Sequence, residues 1–252
     1  MARPPLPVLP ESLETRRLCS ATVVQRHGRL VITGTDDNPT TIVVSTTANR
    51  REVQVTIDGV LVDPNPNGGP TTGVRRSRVH KVLVTTGAGN DTIQIGLFDL
   101  IPRRRQRRNF LGRAIVYAGA GDDNIQGGPQ GDVLIGGPGN DTIIGGDNND
   151  VIFGGTGDDN LSGNFRRDNV FGQDGNDTLD GGPGDDALYG MAGDDTLTGG
   201  TDNDFLNGGP GNNNLVDGNN DPQLGERHDV QQYLQRLVHL SVPRRFRQFV
   251  FL

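Results

Sequence analysis

Aspartate recurs every nine residues between residues 118 and 216, in ten of eleven consecutive nonapeptides that follow one another without a gap. Glycine opens ten of the eleven units, and Ile, Leu or Val stands at the eighth position of all eleven. A further copy, TGAGNDTIQ, lies upstream at residues 86–94. Carboxylates at a fixed spacing, set among turn-forming residues, are the donors that a hard cation such as Ca²⁺ prefers.

Each unit has the composition of a turn followed by a very short strand. Glycine allows positive φ and Asp or Asn bonds its own backbone, so positions one to six favour turns. Positions seven to nine predict a strand whose middle residue points inward. Two units then make one coil, with a turn on each side. The pattern predicts an all-β fold, a right-handed parallel β-roll or β-solenoid, with coils stacked about 4.8 Å apart.

Stacking places the sixth-position residues of alternate units above one another, in two rows. The odd-numbered units give the odd row, which is Asp123, Asp141, Asp159, Asp177 and Asp195 and ends at Asn213. The even-numbered units give the even row, which is Asp132, Asp150, Asp168, Asp186 and Asp204. Two carboxylates about 5 Å apart repel by roughly 3 kcal/mol at an effective dielectric near 20. Carboxylates and turn carbonyls supply the six or more oxygens that suit Ca²⁺ better than Mg²⁺ or Zn²⁺. We therefore expect several Ca²⁺ ions, and an array that is unfolded without them.

The nonapeptide pattern resembles the RTX (repeats-in-toxin, haemolysin-type) family, whose G-G-x-G-x-D-x-U-x signature is that of a calcium-binding parallel β-helix. The resemblance covers residues 118–216 and the upstream copy at 86–94. It implies that calcium is held by the aspartates of the two rows, by Asp91, and by the turn glycines Gly119, Gly121, Gly137, Gly139, Gly155, Gly157, Gly175, Gly182, Gly184 and Gly193.

The fourth position separates the two rows. It is glycine in all six odd units, whereas the even units have Gln130, Asn148, Arg166, Gly184 and Asp202. This alternation between successive units supports two units per coil, and it predicts stronger calcium binding by the odd row if the position requires positive φ. In residues 163–171, "GNFRRDNVF", two readings stay open. Either Arg166 and Arg167 pair with Asp150 or Asp186 in place of a cation, or both point into solvent.

Residues 22–117 contain β-branched runs separated by turn signals and predict strands. We expect an N-terminal β-solenoid region with wider coils that continue into the roll at 118–216; a separate small β-sandwich is the alternative. A basic insertion at 98–111 contains "RRRQRR". It is either a site for an anionic partner or a solvated loop that balances the acidic rows. Aromatic residues are sparse there, so we expect no nucleic-acid partner.

The two ends differ from the repeats. Residues 217–252 form a predicted cap and tail, in which apolar positions within 229–240 fall on one face of a short helix that covers the last coil. The arginine-rich tail is loosely similar to the C-terminal export signals of some RTX proteins. Residues 1–21 are a predicted leader, in which "LETRRLCSA" is similar to the LEPR-XLL segment of many secreted or surface proteins of some bacteria. Thr15 and Cys19 replace the proline and a leucine of that pattern.

Composition excludes several classes of protein. The net charge of −7 hides a segregation, because residues 118–216 have 18 Asp and two Arg while the rest of the chain is basic. One cysteine excludes an internal disulfide framework, and no stretch of about 18 apolar residues predicts a membrane span. No catalytic motif is present and the four histidines lack metal-ligand spacing, so we expect no enzyme.

These observations favour a secreted, calcium-folded protein with a structural or adhesive role at the bacterial cell surface or matrix. Its expected partners are calcium and an anionic polysaccharide or another cell-surface component, and its oligomeric state is open. The alternatives are a polysaccharide-acting solenoid similar to uronate lyases or epimerases, and an accessory module of a secreted hydrolase.

Overall fold

The computed structural model describes residues 21–26, 29–34, 38–46, 52–62, 74–75, 79–97 and 113–216, which form twenty β-strands and no helix. The strands before the roll are β1 (Thr22–Arg26), β2 (Arg29–Thr33), β3 (Thr41–Thr46), β4 (Glu52–Ile57), β5 (Val60–Val62), β6 (Val74–Arg75), β7 (Lys81–Thr85), β8 (Thr92–Leu97) and β9 (Arg113–Tyr117). Those of the roll are β10 (Asn124–Gln126), β11 (Val133–Pro138), β12 (Thr142–Gly146), β13 (Val151–Thr156), β14 (Asn160–Asn164), β15 (Asn169–Asp174), β16 (Thr178–Pro183), β17 (Ala187–Ala192), β18 (Thr196–Thr201), β19 (Phe205–Asn207) and β20 (Asn214–Val216).

The strands form two sheets, and the chain passes from one to the other at every turn of the roll. The first sheet has the order β1-β2-β7-β9-β11-β13-β15-β17-β19. The second has the order β20-β18-β16-β14-β12-β10-β8-β3-β4-β5, with β6 paired to β4. From β7 onwards neighbouring strands within each sheet are parallel, and in the roll paired residues lie two units apart, as in Val133 opposite Val151. The predicted all-β parallel β-roll is confirmed.

Coils are longer towards the N-terminus, as predicted. In the first sheet Arg29 pairs with Lys81, and Lys81 pairs with Arg113, so both of these coils are longer than the two-unit coils of the roll. The coil that ends at β9 exceeds a two-unit coil by the length of the basic insertion 98–111, which itself lies outside the described residues. Antiparallel pairs occur only at the N-terminal ends of the described sheets, between β1 and β2 and among β3, β4, β5 and β6. The N-terminal strands share the sheets of the roll and do not form a sandwich of their own.

The interior of the roll is a column of aliphatic side chains. Eighth-position residues from Ile125 to Leu206 are at most 1 % exposed, and Leu215 is partly buried at the end of the column. Several of the earlier strands have more than one inward aliphatic, as in Leu30 and Ile32 of β2. The hydrophobic interior is therefore wide in the N-terminal coils and a single residue wide in each strand of the roll.

Strands of the roll are longer than the sequence predicts. β13 and β15 run six residues, through the first three positions of the following unit. Gly155 pairs with Gly137 within this extension. Positions one to three therefore belong to the sheets, and the turn proper is confined to positions four to six. The prediction that all six positions are turn was wrong because positive φ at position two bends the strand without ending its hydrogen-bond ladder.

The outer face of the first sheet carries a second apolar cluster, which the sequence analysis missed. Its members are Leu83, Ile115, Val133, Ile135, Val151, Phe153, Phe171 and Tyr189. Phe153 and Phe171 stack with ring centroids 5.0 Å apart, and Phe171 and Tyr189 with centroids 4.9 Å apart. Phe153 and Phe171 are completely buried. The predicted C-terminal helix and the leader lie outside the described residues.

Candidate metal centre

The sixth-position aspartates form two continuous columns joined by backbone hydrogen bonds. In the odd row, the N–H of Asp123 donates to Oδ1 of Asp141 (2.8 Å), and the N–H of Asp141 donates to Oδ1 of Asp159 (2.8 Å). The even row repeats the arrangement, for example from Asp150 to Asp168 (2.7 Å). Each bond spans 18 residues, so the predicted stacking is confirmed.

The odd row extends upstream of the roll. The N–H of Asp91 donates to Oδ1 of Asp123 (2.7 Å), across a separation of 32 residues, and Oδ1 of Asp91 accepts the N–H of Thr40 (2.7 Å). The upstream copy at 86–94 therefore lies in register with the roll, as its sequence predicts. At the other end Asn213 takes the place of aspartate, and its Oδ1 accepts the N–H of Asp195 (2.8 Å).

One oxygen of most column aspartates has no protein partner. The ten aspartates of the two rows are at most 3 % exposed. In the described part of the chain, Oδ2 is buried and accepts no hydrogen bond in Asp123, Asp141, Asp150, Asp159, Asp168, Asp177, Asp186 and Asp195. A buried carboxylate oxygen without a donor is costly. These oxygens are free to bind a cation.

Burial raises the pKa of the column carboxyls strongly. It brings the pKa to about 7 for Asp123, Asp159, Asp177 and Asp186, to about 8 for Asp141 and Asp168, and to about 9 for Asp150. Neighbouring carboxylates of the same column raise these pKa values further, while the backbone N–H donors oppose the effect. The raised pKa values therefore favour protonation of the columns near neutral pH unless a cation lies close to the carboxylates.

The donor set fits calcium. Among the described residues, no three side chains of His, Cys, Asp or Glu converge on one point. An ion in a column would therefore be held by at most two carboxylates, and backbone carbonyls and water would have to supply its other ligands. Carbonyl oxygens stack along the turns, because that of Gly121 lies where a Cβ of Gly139 would be, and that of Gly139 where a Cβ of Gly157 would be. An all-oxygen shell of this kind suits Ca²⁺.

Turn glycines divide by position in the unit. The glycines predicted as calcium-site residues lie at positions two and four and all have positive φ, from Gly119 (φ 120°) to Gly193 (φ 139°). Position one does not, and its glycines serve another purpose: a Cβ at Gly154 would overlap Oδ2 of Asp159, the carboxylate of its own unit. Glycine is required at position one because there is no room for a Cβ. The sequence analysis had explained this glycine by its backbone freedom.

The two faces differ in the regularity of their turns. On the odd face the N–H of every fourth-position glycine from Gly121 to Gly193 donates to the third-position carbonyl one coil later, as in Gly121 to Pro138 (2.8 Å). Within the described part of the even face this bond recurs at Arg166 and Gly184. Stronger calcium binding by the odd row stays a prediction, and the regular turns favour it.

The arginines of the unit 163–171 do not replace a cation. Arg167 donates from Nη2 to Oδ2 of Asp185 (2.6 Å) and from Nε to its carbonyl (3.2 Å), on the exposed surface. This bond lowers the pKa of Asp185. Arg166 is exposed and takes a positive φ of 86°. Of the two readings left open by the sequence, the one in which both side chains lie on the exposed surface agrees with the structure, and the pairing with Asp150 or Asp186 does not.

Asp132, at the start of the even row, differs from the other column aspartates. Its Oδ1 accepts the N–H of Ala114 (2.7 Å), and its Oδ2 accepts the N–H of Gly128 (2.8 Å) in its own turn. Burial raises its pKa to about 6, while the two amides and the charge of Arg113 hold the pKa down. Both oxygens of this predicted ligand therefore accept a backbone hydrogen bond, whereas Oδ2 of Asp150 accepts none.

Comparison with known families gives one result over the roll. A family model of the RTX calcium-binding nonapeptide repeat matches four times, at residues 112–142, 126–161, 153–188 and 180–215. Comparison with curated proteins and with solved structures gave no match. Within the described ranges there is no helix of the length and apolarity needed to cross a bilayer.

Proposed function

Because residues 112–215 consist of RTX calcium-binding nonapeptide repeats, we propose that this protein is a calcium-dependent folding module that orders itself outside the cell. One observation carries the proposal: two buried columns of carboxylates, each with an oxygen that no protein group satisfies. A column of this kind is stable when a dication lies between successive carboxylates. Without an ion it must bind protons or repel itself.

The composition of the roll makes the metal necessary for folding. Each strand of the roll contributes a single eighth-position aliphatic to the interior, and the second apolar cluster adds burial on the first sheet only, which leaves the strands of the second sheet with little hydrophobic burial. Ordering glycine-rich turns is costly, since glycine loses more conformational freedom than other residues. Calcium ligation supplies the missing stabilisation, by binding the folded chain and not the unfolded one.

Calcium dependence also fits the proposed location. Extracellular calcium modules have dissociation constants on the order of 10⁻⁴–10⁻³ M, so such sites stay empty at cytosolic calcium and fill outside. The chain would then remain unfolded before export and fold after it. We propose that the folded roll acts as a structural or adhesive element at a bacterial surface or matrix. Calcium at the roll and the basic insertion 98–111 are the features that would contact an anionic polysaccharide.

Circular dichroism with chelator and then millimolar Ca²⁺ tests the folding step. We expect an unfolded spectrum over the roll in chelator, a cooperative gain of β-structure with Ca²⁺, and a much weaker response to Mg²⁺ at the same concentration. Calorimetric titration then gives the number of ions. A complete β spectrum in excess chelator would overturn the proposal.

Binding and turnover are separated by incubation of the calcium-loaded protein with uronate polymers. We expect retention of the polymer without unsaturated products, since no catalytic motif occurs in the sequence. Accumulating products would assign the solenoid to the lyase class. Loss of retention in chelator would show that the roll itself is the adhesive part.

A further inference from the structure

The outer face of the first sheet is buried from β9 to β17, although it points away from the interior of the roll. Its apolar side chains form a stripe along positions seven and nine of the even units, continued by β9. They alternate along each strand with the inward-pointing residues. Each is at most 6 % exposed, and the stripe consists of Ile115, Val133, Ile135, Val151, Phe153, Phe171 and Tyr189.

The second sheet provides an internal comparison, because its odd units have the same two outward positions. None of these residues between Asn124 and Thr198 is buried. Ile144, an aliphatic at position nine of the second sheet, remains partly exposed, whereas Ile135 at position nine of the first sheet is 1 % exposed. Stacking within a column therefore does not bury an outward side chain, and the burial of the stripe requires a further layer of protein.

That layer comes from outside the described residues, because all twenty described strands belong to the two sheets. The three longest stretches outside the described ranges are residues 1–20, 98–112 and 217–252. The first has four prolines within its first ten residues, which interrupt both helices and strands. The second has five arginines within six residues, which are costly to bury against aliphatic and aromatic side chains.

The third stretch has the apolar pattern and the length that the stripe requires. Its apolar residues recur at helical spacing between residues 229 and 240, at Val230, Tyr233, Leu234, Leu237 and Val238. A helix of that length extends about 18 Å, and the stripe from β11 to β17 covers three steps between coils, or about 14 Å. Residues 217–228 can span about 40 Å when extended, so the helix can reach the stripe from the end of β20.

The open end of the stack is less covered than its side. Leu215, the last residue of the inward column, is only partly buried, whereas its counterparts from Ile125 to Leu206 are at most 1 % exposed. Val216, the last described residue, is 46 % exposed. The burial pattern therefore favours a layer on the side of the roll over one across its last coil.

We propose that residues 229–240 form a helix whose apolar face packs on the stripe, along the side of the roll, instead of covering the last coil. The first sheet then lies between two apolar layers, which are the interior column and the helix. Because the stripe includes residues of β11, β13, β15 and β17, one helix holds four coils together from outside. This packing goes beyond calcium binding and does not depend on it.

Crosslinking of the full chain in calcium tests the position of the helix. Leu237→Cys is combined with Ala187→Cys, at a partly exposed seventh position of the first sheet, after Cys19 has been replaced by Ser. The control pair is Leu237→Cys with Thr196→Cys, at the partly exposed seventh position of the next unit, which lies in the second sheet. We expect a short bismaleimide to join positions 187 and 237 within one molecule and to leave positions 196 and 237 unjoined.

Other occupants of the stripe give different products. A dimer crosslinked through position 187 would assign the stripe to a second copy of the chain, and preferential joining of positions 196 and 237 would place the segment elsewhere; either result would overturn the proposal. Ala187→Cys alone keeps the native Cys19 and tests the N-terminal stretch. We expect no joining of these two positions, and a crosslink between them would assign the layer to residues 1–20.

Fluorescence gives a measure that needs no crosslinker, because the chain has no tryptophan. Tyr233→Trp places an indole on the apolar face of the helix, and Gln232→Trp places one on the opposite face. In calcium we expect emission at shorter wavelength and several-fold weaker quenching by acrylamide for Tyr233→Trp. Adding Phe171→Ala should increase the quenching at position 233, whereas Ile144→Ala, at position nine of the second sheet, should not. Equal quenching at positions 232 and 233, or equal effects of the two alanine substitutions, would refute the packing.

Discussion

Replacing Asp159 by Asn should have opposite effects with and without calcium. The variant keeps the ladder, because an amide oxygen still accepts the N–H of Asp141 (2.8 Å). It removes the charge of a side chain that is 2 % exposed and whose Oδ2 has no hydrogen-bond partner. The ionised Oδ2 of Asp159 should destabilise the metal-free roll and should bind calcium in the calcium-loaded roll.

The magnitude follows from the pKa of the carboxyl. Burial raises the pKa of Asp159 to about 7, against roughly 3.9 in an unfolded chain. A carboxyl with a raised pKa in the folded state stabilises it at low pH and loses that contribution as the pH rises through the folded value. At about pH 8 the ionised Asp159 therefore opposes folding in chelator by at most about 4 kcal/mol, and by less where solvent screens its charge. Asn removes this opposition at the smaller cost of a buried amide. In calcium the same change leaves the ions undercharged and costs about 3–5 kcal/mol.

Two titrations followed by circular dichroism measure the effect of Asp159→Asn on folding, one without calcium and one with it. In chelator, folding is induced with trimethylamine N-oxide, which favours compact states, and Asp159→Asn should need less of it than the unmodified protein. In a calcium titration, the variant should need more calcium. Asp158→Asn is the control, because Asp158 is exposed and its Oδ1 accepts the N–H of Asn176 (2.8 Å), which asparagine can also do. A calcium midpoint shifted no more than in the control, or a higher osmolyte midpoint, would refute the reasoning.

Three further predictions concern pH, space and surface charge. In chelator, acidification from about pH 9 to about pH 5 should increase β-structure, because burial raises the pKa of column carboxyls such as Asp150 (to about 9) and protonation removes their repulsion; a dichroism signal independent of pH would contradict this. Gly172→Ala should abolish cooperative calcium folding, because its Cβ would overlap Oδ2 of Asp177. Gly128→Ala is the control, because the nearest atoms to its Cβ would lie 3.4 Å away. This control should fold with a calcium midpoint close to that of the unmodified protein. Arg167→Ala breaks an exposed ion pair and should leave the free energy of unfolding in calcium almost unchanged, which denaturant titration measures.

The columns could be predicted from the sequence because the nine-residue period fixes both the stacking of the units and the position of each side chain within the stack. A strict spacing of nine, with an alternation at position four, places Asp141 above Asp123 whatever the details of the turn. The inward direction of the eighth position follows in the same way, from the alternation of side chains along a strand. Period and alternation are local properties of the chain, so no knowledge of distant contacts was needed.

Other features depend on contacts that a period does not encode. The apolar outer face of the first sheet arises from positions seven and nine of the even units, such as Val151 and Phe153. Odd units have polar residues at most of these positions, so the signal is present in the sequence but requires that the two faces be compared. The departure at Gln130 was visible as a residue unsuited to positive φ. Its result is a turn without positive φ, in which the N–H of Gly128 bonds Oδ2 of Asp132.

The residue that ends the odd row limits the length of the carboxylate column. Asn213 accepts the N–H of Asp195 through Oδ1 and donates from Nδ2 to the carbonyl of Gly209 (3.0 Å). An aspartate there would add a sixth carboxylate to the odd row. The amide instead closes this turn on itself, and the run of carboxylates in the odd row ends at Asp195.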